Sequence, residues 1–232
     1  VGDEAGTAIT TGDNIVAVGF QAGDALTLGS SNTAVGKDAL TNEVAGHNNT
    51  AIGKGALQAQ TTASSGTVSN TAVGRDAGLA ITSGIENTIV GANAGESLTD
   101  ADYNVAIGKS ALAADTKGSK SVAIGFGALD TQNFTSSTDA ANVAVGFNAG
   151  GAITSATHNV AVGFQAMDAT NTGGFNTAIG RDALGGNTSG TNNTIVGGQA
   201  NQVGTAVSHN TMMGYGAGYN TTGSENIFIG RR

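Results

Sequence analysis

The 232-residue chain contains no cysteine, no proline and no tryptophan, and aromatic residues make up only 4% of it. Without cysteine there is no disulfide framework and no zinc-thiolate centre. Without large aromatic side chains, a thick globular core has little to fill it. Cations are scarce as well: nine Lys and Arg stand against seventeen Asp and Glu, a formal charge of −8. That balance opposes a nucleic-acid partner, because phosphate binding needs a basic face. No apolar run approaches membrane-spanning length, so membrane insertion is not expected. What is abundant is glycine, with 38 residues, and a hydrophobic fraction of 39% drawn mostly from Ala, Val and Ile. Small and β-branched residues favour closely packed strands over helical layers.

These residues are ordered by a repeat. A phrase of the kind Asn-Thr-Ala-Val-Gly ends at Gly2, Gly19, Gly36, Gly53, Gly74, Gly91, Gly108, Gly125, Gly146, Gly163, Gly180, Gly197, Gly214 and Gly230, in steps of 17 residues apart from two of 21 and a last one of 16. The markers run through residues 1–232, which makes the chain one repeat domain. Three residues after the marker comes Ala in every repeat long enough to show it, as at Ala22, Ala39 and Ala183. Before it comes Val or Ile, Met213 excepted. Four before it stands Asn, at Asn32, Asn49, Asn70, Asn87, Asn104, Asn142, Asn159, Asn176, Asn193, Asn210 and Asn226, with Ile15 and Ser121 as exceptions.

Thr33-Ala34-Val35-Gly36 piles up β-branched residues and ends in Gly, which suits a strand and not a helix. Side chains alternate along a strand, so Thr33 and Val35 share one face while Asn, Ala and Gly share the other. Neither face is charged, and both are expected to be covered. Ala39-Leu40 supplies a second short apolar segment, and stretches such as "GGNTSGTN" carry the turn chemistry of a return. The repeat therefore predicts an all-β fold, a parallel β-solenoid of about fourteen coils with a 17-residue repeat. Identical spacing would set each Asn over the next in a hydrogen-bonded ladder, with Asn187 and Asn220 outside it in tolerant return loops. One Val, one Leu and two Ala per coil make a thin core, so subunits are expected to fold only as a symmetric oligomer.

The phrases "NTAVGKDAL" at 32–40, "NTAIGKGAL" at 49–57, "NTAIGRDAL" at 176–184 and "YNTTG" at 219–223 resemble arrays in bacteriophage tail fibres, and also the head repeats of trimeric autotransporter adhesins. The resemblance implies a homotrimer that forms part of a longer fibre shaft or head. It places the chain on a virion or at an extracellular or cell surface, where it would attach to a host. It carries over no catalytic residue and no cofactor.

Chemistry-bearing residues are few. His47, His158 and His209 precede the Asn of their phrases and do not cluster in sequence, which favours a loop role over metal binding. Asp38, Asp76 and Asp182 each follow a cation, Lys37, Arg75 and Arg181, as surface pairs would. The position after the marker is more informative, because it collects Lys37, Lys54, Arg75, Lys109, Arg181 and Arg231 together with Phe20, Phe126, Phe147, Phe164 and Tyr215. Such a strip either staples subunits together or touches a ligand such as a glycan. For the second reading the candidates are Phe126, Phe147 and Phe164, joined by Phe134 from a four-residue insertion at 130–141; a matching insertion lies at 58–69. Two other classes compete with an adhesive fibre. Thr33, Thr50, Thr71 and Thr88 suggest an ice-binding solenoid, although Val105, Val122, Val143 and Val160 then take the same place. A polysaccharide-degrading tailspike would interrupt the repeat with clustered acids, which this regular array lacks, so no enzyme is expected.

Overall fold

The structure, a computed structural model, describes residues 2–62 and 66–232; residues 63–65 of the first insertion lie outside it. Each phrase forms a three-residue strand, from Val16–Val18 to Ile227–Ile229, and thirteen of them make one parallel sheet in chain order. Val16, Ala17 and Val18 pair with Thr33, Ala34 and Val35 of the next coil. The same register crosses both insertions, Thr50 pairing with Thr71 and Val122 with Val143. The insertions thus leave the register of the stack unchanged. No helix occurs among the described residues, and the fold is a parallel β-solenoid. Thirteen strands give twelve turns, fewer than the fourteen markers suggest, since Gly2 ends no described strand.

Each coil is closed by left-handed corners at fixed places. In the coil around Gly36, Ser31, Asp38 and Leu40 have φ of 59°, 57° and 51°, and Gly36 itself 132°. Only glycine adopts the last value without strain. The other three corners accept L residues at a modest cost.

The interior is built from the inward strand residue, Ala34 or its equivalents with Ile89 the large exception in mid-stack, and in most coils from a large aliphatic side chain that takes either of two seats. Leu40, Leu57, Leu112, Leu129, Met167 and Leu184 take the seat four residues after the marker, and all are fully buried. In those coils the residue three further on is polar and equally buried: Glu43, Gln60, Asp115, Gln132, Thr170 and Asn187. Where the first seat is Gly23, Gly78, Gly95 or Gly150, the second holds Leu26, Ile81, Leu98 or Ile153. A methyl group added at Gly95 would meet Cδ1 of Leu98 at 2.9 Å, so the lumen has room for only one of the two. Near the end of the stack both seats are small, at Asn201 with Gly204 and Gly218 with Thr221, and the strand residues grow instead, to Ile195 and Met212.

This exclusion gives a test. Met167→Gly is expected to cost about 2–4 kcal/mol through the void it leaves, and Thr170→Leu about 1–3 through overpacking. Together they rebuild the Gly150 and Ile153 arrangement of the preceding coil. Denaturation of the three variants should show the double falling short of the sum by at least about 1 kcal/mol. Strict additivity would mean that the seats are independent.

The asparagine row forms the ladder. The N–H of Asn49 donates to Oδ1 of Asn32 at 2.9 Å, and that of Asn104 to Oδ1 of Asn87 at 2.9 Å. Most Nδ2 groups then reach across their coil to a carbonyl of the next return, Asn159 to Gly173 at 3.0 Å and Asn176 to Gly190 at 2.8 Å, while Nδ2 of Asn49 is buried without a partner among the described residues. Asn187 departs from expectation. It is fully buried, its Nδ2 donating to Gly190 O and its Oδ1 accepting from the N–H groups of Gly190 and Val207. It occupies the second core seat, whereas Asn220 is exposed in its loop.

Within a single chain, cover is supplied for one face of the strands. The inward face is covered by the chain's own coil, Ala34 being fully buried, while Thr33 and Val35 remain half-exposed. The core closes within a single chain, and what lies open is the outer face.

Candidate functional site: the outward sheet face and its flanking rib

The open face carries two rows along the stack, the first and third residues of each strand. The first row reads Val16, Thr33, Thr50, Thr71, Thr88, Val105, Val122, Val143, Val160, Thr177, Thr194, Thr211, Ile227, and the other holds only Val and Ile, apart from Met213. No charged residue stands in either row. Val16 is 48% exposed, Ile179 41% and Met213 52%. Its register comes from the strict pairing described above.

One edge of this face is the row immediately after the marker glycines. Phe126, Phe147 and Phe164 stack there with ring centroids 5.1 and 5.4 Å apart and planes 9° and 11° from parallel. Lys109 lies over the outer face of Phe126 at 5.6 Å, Lys37 over Phe20 at 5.5 Å and Arg231 over Tyr215 at 5.9 Å. These contacts hold the row together as a rib. Because the rings face one another along the rod, solvent meets mainly their edges. A sugar ring stacks on an aromatic face, so this geometry suits a packed seam better than a carbohydrate platform.

Phe134 does not join the rib. It is only 7% exposed, sits nine residues beyond its marker, and packs its ring over Gly118 of the return. Its N–H donates to Oδ1 of Asp115 at 3.0 Å. The position expected to be an exposed aromatic is therefore a core plug beneath the insertion.

The other titratable groups stay dispersed. Lys37 pairs with Asp38 at 3.5 Å, Arg181 with Asp182 at 3.1 Å, and Arg75 with Asp76. His158 stacks on Phe175 at 4.7 Å, and Nδ1 of His47 accepts the N–H of Ser30 at 2.9 Å. Burial pushes the carboxyls of Asp130 and Asp168 above the usual range, the charge of Asp182 adding to the effect at Asp168. No group of three or more His, Cys, Asp or Glu side chains that could hold a metal comes together among the described residues.

Two buried carboxylates escape a reading that looks only at the repeated phrase. Glu43 and Asp115 are fully buried, each in the coil before an insertion. Oε1 of Glu43 accepts from the N–H groups of Val44, Ala45, Gly46 and Thr62, and Oε2 from Gln60 Nε2 and Thr62 Oγ1. Asp115 does the same work for Lys117, Gly118, Phe134 and Gln132. A signal for them exists in the sequence: Glu43 and Gln60 recur as Asp115 and Gln132, 72 residues later, each pair spanning the marker glycine that opens a long step.

Compared with protein families, curated proteins and solved structures, the chain shows no match. The fold by itself defines the class, a parallel β-solenoid repeat protein with an open, uncharged sheet face.

Proposed function

We propose that the chain is a structural and adhesive fibre segment, acting on a virion or at an extracellular or cell surface, whose copies associate through the outward sheet face and mediate attachment to a host. The observation that carries this reading is the face itself. Twelve spacings of roughly 4.8 Å give it a length of ~58 Å, and with a width of about 10 Å it offers on the order of 600 Å² of apolar surface. That is the upper end of what a monomer leaves open, and with the rib it approaches the ~800 Å² per partner of a stable interface. The number three for the copies comes from the resemblance to tail fibres and trimeric adhesin heads.

Sedimentation equilibrium of the folded chain is expected to give a homotrimer. Val162→Glu places a charge in the middle of the face without touching the lumen, so it should reduce the mass to a single chain while the β-sheet signal persists. A wild-type monomer at micromolar concentration would overturn the reading.

One observation favours a second reading, an ice-binding face: Thr33, Thr50, Thr71 and Thr88 project outward from four consecutive strands in register. Thermal hysteresis in the monomeric variant, absent when these residues are changed to Val, would select it.

A further inference from the structure

A second column of chemistry-bearing side chains borders the sheet face on the edge opposite the rib. It lies one residue before each ladder asparagine, at the left-handed corner that Ser31 makes in its own coil. Tyr103, His158 and Phe175 hold this corner with φ of 60°, 60° and 58°, and all three are exposed. Asparagine tolerates the conformation best and has it at Asn14, Asn48 and Asn192, so a bulky ring there carries strain. Contacts inside the chain offset little of it. His158 stacks on Phe175, and Tyr103 meets no other ring or cation among the described residues.

In every coil this column and the rib stand at the two ends of one strand. Tyr103 and Lys109 flank Val105–Ile107, and Lys120 and Phe126 flank Val122–Ile124. Phe175 and Arg181 flank Thr177–Ile179, and Glu225 and Arg231 flank Ile227–Ile229. The first three couples match a cation to an aromatic ring, and the fourth joins opposite charges. No coil carries like charges at both ends. Six residues of extended chain hold the members of a couple about 20 Å apart, so they cannot touch within one copy.

We propose that the two edge columns are each other's partners between copies: the column before the asparagines of one copy packs on the rib of the next, with the copies parallel and their coils level. The inference rests on association through the sheet face, and adds which edges meet and in what direction. A closed cyclic assembly keeps equivalent coils at one height, so each couple is remade across the interface. There the cation–aromatic contacts strengthen as water leaves them. An antiparallel pair would instead set each column against itself. With all thirteen strands overlapped, Lys120 would face its own counterpart and Arg75 would face Arg181, like charges that repel at an interface.

The chain has no cysteine, so introduced thiols report contacts without background. In the double variant Phe175→Cys with Arg181→Cys, a short bismaleimide is expected to link copies into an oligomer that survives denaturing electrophoresis. Either change alone, and Lys120→Cys alone, should leave the chains unlinked. Efficient linking of Lys120→Cys by itself would mean antiparallel copies and overturn the proposal. A double variant that links no better than the single ones, while still sedimenting as an oligomer, would overturn it and leave the sheet-face reading standing. Sedimentation as single chains would overturn both. A swap supplies the second measurement. Phe175→Arg, set against Arg181 of the partner subunit, should weaken assembly about tenfold with the β-sheet signal unchanged. Adding Arg181→Phe restores the couple in reverse and should recover most of that loss; no recovery would count against the pairing of the columns.

Discussion

Gly163→Ala is expected to break the stack. The residue has φ of +133°, a conformation closed to L residues, so even an isolated coil would be strained by the change. The neighbouring coil makes it worse. A Cβ at this place would stand 2.6 Å from the carbonyl oxygen of Gly180 and 2.7 Å from its carbonyl carbon. Backbone cannot swing aside as a side chain can, because Gly180 is fixed by its own ladder bond, its N–H donating to Val162 O at 2.8 Å. The coils would have to separate locally, losing parallel pairing on both sides. A loss above about 4 kcal/mol is expected, at the extreme of single substitutions. Gly174→Ala in a return is the wrong control, since it too faces backbone, Thr157 O at 2.8 Å. Gly223→Ala is better, with only the side-chain nitrogen of Asn226 near, at 3.3 Å. Melting of the two variants by circular dichroism checks the point, and equal small shifts would mean that the marker glycines serve composition and not geometry.

The same close stacking decides what is legible in the sequence. A 17-residue step repeated with glycine at one place and alanine three residues later leaves little choice of architecture, because only a stacked coil brings each residue over its own counterpart. The strand, its inward Ala, its outward Thr and Val, and the asparagine ladder all follow from that one fact. The core seats do not follow so directly. Leu40 and Leu26 sit at different offsets from their markers, and a position-by-position consensus blurs them into two weakly apolar columns. The rule that joins them is a volume constraint across two columns, visible only when Gly23 is read together with Leu26, and Leu40 together with Glu43.

Phe134 and Asn187 are misread for a related reason. Both lie in polar, turn-rich stretches, where composition suggests solvent, yet both point into spaces left by a missing side chain nearby, Gly118 for the ring and Gly190 for the amide. The open sheet face is a different case. Alternation places Thr and Val together on one side of the strand but is silent on what covers that side. A chain with a thicker core would have folded a second layer over it. This one encloses a narrow lumen and leaves the outer face open, the face through which copies are proposed to associate.

Glu43→Leu is expected to produce the largest loss of any side-chain substitution in the protein. The carboxylate receives six hydrogen bonds and no cation pairs with it, so its burial is compensated entirely by neutral donors. Leucine would leave the N–H groups of Val44, Ala45, Gly46 and Thr62 without acceptors in a dry interior, each worth about 1–3 kcal/mol before relaxation. It would also crowd a lumen already filled by Leu40. Water entering under the first insertion can recover part of the loss, and about 3–5 kcal/mol is the expected net effect. Glu43→Gln retains the shape and one acceptor but turns an NH₂ toward the Gln60 amide or the Thr62 hydroxyl. Gln60 cannot simply flip to accept it, because its Oε1 already takes a bond from Asn70 Nδ2 at 3.0 Å. About 1–3 kcal/mol is expected for that variant. Native-state hydrogen exchange at the Gly46 and Thr62 amides is the sharper readout, since the insertion can open before the stack melts. Protection at both amides should fall at least tenfold in Glu43→Gln and further in Glu43→Leu. Unchanged protection would show that the carboxylate is incidental, and that the insertion is held by the strand pairing of Gly46–His47 with Gly66–Thr67 alone.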